Sequence, residues 1–280
     1  MGRSLFLILS IWMIPNLVFS QEYNMNIAFR DGHTSSIRTS AVDSIYFSLQ
    51  SSENTGEENP NGVGTNYMGD DIRIFNNILT IGDSMTDGTF NTKDGYYIDA
   101  KYSWPSYLRK ITGCNVRNWG RSGRSTKGWY EWFNDSIWGG YDCAIIQLGI
   151  NDYYQKQQDL TQEFLGKIVD RLLQDNPGIK IFVSTIVKAK WYPASQFDPI
   201  SDNIRQFVNS RSDCYLVDMA KYGHTMDEDA YNAGHFSAYG HWQQAHDYVA
   251  YISSIIRNNP QDFINVQFIG TDKTPFISNP

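Results

Sequence analysis

Leu79-Thr80-Ile81-Gly82-Asp83-Ser84-Met85-Thr86-Asp87-Gly88 decides the fold of this chain. Its apolar start reads as a buried strand, which runs into Gly-Asp-Ser and then a glycine-punctuated turn. Open α/β sheets hold ligands and chemistry at the carboxyl ends of their strands, so Ser84 is a candidate nucleophile. Gly-Asp-Ser alone is ordinary turn chemistry. Three further segments give it weight: Asn118-Trp119-Gly120-Arg121-Ser122-Gly123 and Leu148-Gly149-Ile150-Asn151-Asp152, each with its own strand-like run, and Gly234-His235 near the carboxyl end.

Around this stretch the chain alternates between two periodicities. Strands are expected over 78–81, 115–119, 143–148, 179–187 and 214–218, and helices near 104–111, 160–174, 201–210 and 239–257. Continuous apolar runs suit parallel strands covered on both faces. Pro177-Gly178 breaks the chain before the fourth strand. The alternation implies a three-layer α/β/α sandwich. Residues 72–75 read either as an extra edge strand or as the end of a linker.

A serine, a glycine, an asparagine and a histidine in this order resemble the four blocks of the SGNH (GDSL-type) hydrolase family, over roughly 78–257. The resemblance implies a flavodoxin-like sheet and ester hydrolysis with no metal or cofactor. It implies Ser84 as nucleophile, His235 as general base, and an oxyanion hole made by the Ser84 and Gly123 N–H groups and the Asn151 amide. These residue types suit the chemistry. A serine hydroxyl attacks poorly until a neutral imidazole takes its proton. The tetrahedral oxyanion needs preorganised donors, and a glycine leaves the substrate's approach open. Gly120 competes for the second place, but Gly123 fits the family's Ser-Gly spacing better.

The last block departs from the family's Asp-x-x-His and reads Asn232-Ala233-Gly234-His235. An Asn oxygen can accept the imidazole N–H but brings no charge. Replacing the Asp of a serine protease triad by Asn costs about 10⁴ in turnover, whereas Cys-His-Asn arrangements work. Asn232 is the expected orienting residue. Asp229, then Asp227 or Glu228, or a backbone carbonyl, are the alternatives.

Residues 1–20 read as a secretory signal, with Arg3, an apolar stretch over 5–18 and a small-residue end at Val18-Phe19-Ser20. The stretch is short for a membrane span and contains Pro15. The expectation is a periplasmic or secreted protein beginning at Gln21 with no span in the mature chain. Residues 21–50 read as a β-hairpin leader around Asp31-Gly32, resembling a short module of exported Bacteroidetes proteins. Residues 51–70 are a polar linker, 71–258 the hydrolase domain and 259–280 a tail.

The 280 residues carry a net charge of −7 and no basic run, which argues against nucleic acid and anionic membranes as partners. The three cysteines cannot all pair; buried thiols are expected, with a Cys114–Cys143 bridge as the alternative. No Cys/His spacing suits zinc. The expected loops are rich in aromatics, about half of them packing residues. Trp129, Tyr153 and Trp191, with Arg124, form the expected substrate-binding set for an acylated carbohydrate or another small ester. Arg121, Arg124 and Lys127 suit an acidic substrate or brace the loop. The rival readings are a lipase or lysophospholipase-like acylhydrolase, and a carbohydrate binder that has lost turnover.

Overall fold

The computed structural model describes residues 24–28, 34–38, 71–92, 94–189, 194–226, 231–232 and 234–264. The chain divides into two compact units, 1–60 and 61–280. The signal, the linker, the Asp31-Gly32 turn, Trp191 and Asp229 lie outside the described residues. In the first unit, β1 (Asn24–Ala28) runs antiparallel to β2 (Thr34–Arg38), with Asn24 opposite Arg38 and Ala28 opposite Thr34.

The second unit is built on a parallel sheet. After β3 (Asn77–Gly82), the chain makes a separate antiparallel hairpin, β4 (Thr89–Thr92) and β5 (Gly95–Ile98). The sheet continues with β6 (Asn115–Gly120), β7 (Cys143–Gln147), β8 (Lys180–Ser184) and β9 (Cys214–Val217). Its five strands lie in the order β6-β3-β7-β8-β9, each parallel to its neighbours. This is the flavodoxin-like order, in which the winding direction reverses between β3 and β7. Gly82 pairs with both Gly120 and Gln147, so the loops leaving β3, β6 and β7 start at one level.

Single-turn helices α1 (Ser84–Asp87), α4 (Ile150–Tyr154) and α7 (Met219–Tyr222) follow the carboxyl ends of β3, β7 and β9. Of the longer helices, α2 (Trp104–Thr112) packs with α8 (Ala238–Asn258) on one face. On the other, α3 (Thr126–Phe133), α5 (Thr161–Asp175) and α6 (Ala194–Asn209) stand in a row. Local chemistry sets their ends. Ser103 caps α2 by accepting from Ser106 N at 3.3 Å, and Gly113 ends it at φ 74°. Ser237 caps α8 through Gly240 N at 3.1 Å. Ile78, Leu79, Ile81, Ile145, Ile146 and Phe182 are fully buried between the helix layers, each contributing about 1.5–3 kcal/mol of burial.

Several boundaries differ from the sequence expectation. Asp71–Ile74 is a 3₁₀ turn rather than an edge strand. Ile72 is buried, with its N–H on Ser253 Oγ of α8, and Phe75 packs edge-on to Phe182. The fourth strand stops at Ser184, because Ile186 N turns to Ser201 Oγ and leaves the ladder. Helix α6 begins at Ala194 rather than near 201 and carries Pro199 inside it. After α8, α9 (Pro260–Phe263) sets Phe263 against Phe75, Phe182 and Tyr215. Cys114, Cys143 and Cys214 are buried free thiols, so no Cys114–Cys143 bridge forms. Among the described residues, no helix is long and apolar enough to cross a membrane.

Candidate active site

The strand-to-helix turn at Ser84 is as tight as sterics allow. A Cβ on Gly82 would lie 1.9 Å from Thr86 Oγ1, so only glycine lets α1 fold back over the end of β3. Asp83 caps the turn, its Oδ1 accepting from Met85 N at 2.9 Å. Ser84 follows as the first residue of α1, half-buried. Its N–H, by position, has no partner within the helix. Burial pushes the Asp83 carboxyl up to about 7, opposed by its bonds to Met85 N and the Asn151 amide.

The loop after β6 is tied to this turn. Arg121 N donates to Gly82 O at 2.9 Å, and Asp87 at the end of α1 accepts from Ser122 N at 2.8 Å and from Ser122 Oγ. Gly123 comes next, exposed and left-handed at φ 73°. From the third loop, Asn151 Nδ2 donates to Arg124 O at 3.2 Å and Gln155 Nε2 to Gly123 O at 2.6 Å. Buried Asp152 accepts from Thr126 N, Thr126 Oγ1 and Thr161 Oγ1, fixing α4 to the starts of α3 and α5. Ser84, Gly123 and Asn151 thus belong to three loops at one edge of the sheet, cross-linked by hydrogen bonds.

His235 reaches this edge from the far end of the chain. It lies in β11 (His235–Phe236), which pairs with β10 (Tyr231–Asn232) and packs against α1 and β4. The register sets Asn232 directly opposite His235, with Gly234 at φ 92° in the turn between them. His241, buried on α8, holds its Nε2 2.9 Å from Thr89 O and braces the start of β4. Half-buried His235 is pushed below the ordinary imidazole range by burial, and the negative charge of Asp87 opposes that shift. A neutral imidazole near pH 7 is the form a general base needs.

A cavity of about 10 Å³ opens beside the turn, lined by Asp83, Met85, Leu148, Ile186, Val187 and Phe236 among others. That is room for about one water. Gly120, the competing glycine, is structural: a Cβ there would lie 2.2 Å from Asp87 N, whereas one on Gly123 meets nothing within 4 Å.

Of the expected substrate-binding set, Trp129 must be corrected. It is fully buried, donates Nε1 to Trp119 O at 2.7 Å and stacks with Phe133, so it is core and cannot meet a ligand. Tyr153 is half-buried, edge-on to Phe197 at 5.5 Å. Arg124 and Arg121 set their guanidinium groups 4.4 and 4.5 Å from the ring centre of exposed Trp132. Two features escaped the sequence reading. One is β5, whose Tyr96, Tyr97 and Ile98 are exposed, with Tyr96 stacked on His235 at 6.0 Å. Asp94-Gly95 is the hairpin signal that could have found it. The other is Asp87.

A lipase/acylhydrolase from Enterococcus faecalis is similar in structure, with a TM-score of 0.52, 16% identity, and 64% of this chain and 96% of that one covered. A carbohydrate esterase with divergent catalytic and non-catalytic binding functions gives a TM-score of 0.50 at 12% identity, covering 68% and 70%. A carbohydrate acetylesterase from Sinorhizobium meliloti gives 0.49 at 16% identity, covering 64% and 99%. At such identities the first two likenesses are of fold alone. No curated protein matches the sequence. The model of the GDSL-like lipase/acylhydrolase family, however, matches residues 80–243, which span Ser84, Gly123, Asn151 and His235. The chain belongs to the GDSL-like lipase/acylhydrolase family and is an ester hydrolase of the SGNH type.

Proposed function

We propose that this protein is an exported serine esterase that removes acetyl or similarly small acyl groups from carbohydrate. The observation that carries the reading is the tying of the Ser84 turn to the Gly123 and Asn151 loops, with the His235 strand packed against the nucleophile helix. His235 takes the Ser84 Oγ proton as Oγ attacks the ester carbon, and the carbonyl electrons move onto oxygen. The Ser84 and Gly123 N–H groups and the Asn151 amide stabilise that oxyanion, Asn151 exchanging its long bond to Arg124 O for it. Collapse breaks the ester C–O bond, and His235 returns the proton to the leaving alkoxide. Water, deprotonated by His235, then releases the acid and restores Ser84. Asn232, opposite His235 in the hairpin, is its proposed orienting residue, with Asp229 as the alternative.

The 1–20 segment supports export. The carbohydrate ester takes support from the exposed Tyr96, Tyr97 and Trp132, polar-edged faces that suit sugar rings better than acyl chains. Arg124 beside Trp132 belongs to the proposed binding set, as do Tyr153 and, outside the described residues, Trp191. The carbohydrate esterase among the structural neighbours makes a sugar ester the first substrate to try. The test is acetate release from an aryl acetate and from acetylated plant polysaccharides, by the protein and by Ser84→Ala. Release from a polysaccharide that vanishes in the variant is expected. Activity on the aryl ester alone would overturn the carbohydrate substrate, and no release at all would favour a binder.

A further inference from the structure

Asp87 lies one turn beyond Ser84 on α1, in the same segment, and none of the four named positions gives it a role. We propose that Asp87 is a positioning residue of this hydrolase: its carboxylate pins the oxyanion loop to the nucleophile helix and sets a fixed negative charge near His235, a charge that Asn232 does not bring. The proposal rests on the reading of Ser84 and His235 as nucleophile and base.

The clamp is built from four donors. Asp87 Oδ1 accepts from Thr89 N and Thr89 Oγ1, both at 2.8 Å. Asp87 Oδ2 accepts from Ser122 N at 2.8 Å and from Ser122 Oγ. The two hydroxyl oxygens lie 2.9 Å apart, a close contact that needs no proton of its own while both O–H groups donate to Asp87. It therefore joins the end of α1, the start of β4 and the residue before Gly123. Only a carboxylate accepts on both oxygens in this way, since an amide would turn two N–H groups onto the donors of one side.

With both oxygens engaged, Asp87 acts on His235 as a charge across space rather than as a hydrogen-bond partner. The strand carrying His235 packs on the helix and the strand that the carboxylate joins. Across the hairpin stands uncharged Asn232, and Tyr231 of β10 pairs with Phe236. From β5, Tyr96 stacks on the ring; β4 contributes Thr89, Phe90, Asn91 and Thr92, none of them titratable near neutral pH. From α8 comes His241, which burial holds neutral with its pKa lowered to about 4. Asp87 supplies a negative charge that acts on His235. Its value lies in the transition state, when His235 becomes an imidazolium.

The experiment is the pH profile of kcat/KM on an aryl acetate for the protein, Asp87→Asn and Asp87→Glu. This ratio reports the free enzyme's base. Removing a neighbouring negative charge lowers the imidazole pKa, so the acid limb of Asp87→Asn should move to lower pH by about half a unit to one unit. Its kcat should fall about 10- to 100-fold as the oxyanion loop loosens. Asp87→Glu keeps the charge and should keep the limb. An Asp87→Asn limb that stays in place overturns the proposal whatever happens to kcat, because a purely structural carboxylate would not move it. If Asp87→Asn does not fold, Asp87→Ser, whose hydroxyl can meet Ser122, gives the same readout. Hydrolysis surviving in Ser84→Ala would instead overturn the underlying reading.

Discussion

The floor of the proposed site, made by the loops after β3, β6 and β7, is held by Asp87 and Asp152, each with both carboxylate oxygens engaged. The rim, made by β5, exposes Tyr96 and Tyr97. In the floor, Asp152 accepts at 2.6–2.9 Å from Thr126 and Thr161, and Asp87 joins Thr89 to Ser122. On the rim, Tyr96 is 69% exposed and Ile98 63%. Acyl transfer needs its groups fixed to a fraction of an ångström, and charge-assisted hydrogen bonds supply that stiffness. Contact with a carbohydrate polymer, the proposed substrate, would need reach and surface instead. Substitutions in the floor should therefore lower stability and turnover together, while those on the rim should alter apparent affinity alone.

The sharpest way to break this contrast is Gly120→Ala. The new methyl would lie 2.2 Å from Asp87 N and 2.5 Å from Asp87 Cα, both backbone atoms that cannot yield alone. A loss of about 3 kcal/mol or more is expected, read as a large fall in the urea midpoint, with activity lost alongside. An unchanged midpoint would mean that the floor is softer than its hydrogen bonds imply. Gly123→Ala, three residues on, should behave differently. Nothing lies within 4 Å of its Cβ, so the cost is the left-handed backbone at φ 73°, about 1 kcal/mol. Its turnover should nevertheless fall at least tenfold, because its N–H would shift from the oxyanion. Two alanines three residues apart would thus separate a packing glycine from the proposed oxyanion glycine.

That separation was only half legible in the sequence. Gly120 and Gly123 both suit a turn, and spacing favoured Gly123. The reason Gly120 must be glycine, the approach of α1, is a contact across the sheet that no local pattern records. The strands were readable because a parallel sheet covered on both faces demands apolar runs, such as the Cys-Ala-Ile-Ile that opens Cys143–Gln147. Trp129 misled for the converse reason: an aromatic after a strand looks like a loop residue, but Ser125 caps a helix there and turns the indole into the core. Asp87 was hidden because, beyond its local partner Thr89, it reaches Ser122 in the loop after β6, and hydrogen bonding between loops has no periodicity.

The smallest effect on stability should come from the rim, and it separates binding from folding most cleanly. Tyr96→Ala removes an exposed ring whose described ring contact is His235, at 6.0 Å between centres. Stability should stay within about 0.5 kcal/mol of the parent in urea unfolding. If the ring carries sugar, losing one stacking face worth about 0.5–1.5 kcal/mol should raise KM on an acetylated polysaccharide roughly two- to tenfold. The rise should be smaller on an aryl acetate, which has no sugar ring to stack. A kcat loss of the same size on both substrates would assign Tyr96 to the support of His235, and the rim would then be an extension of the floor.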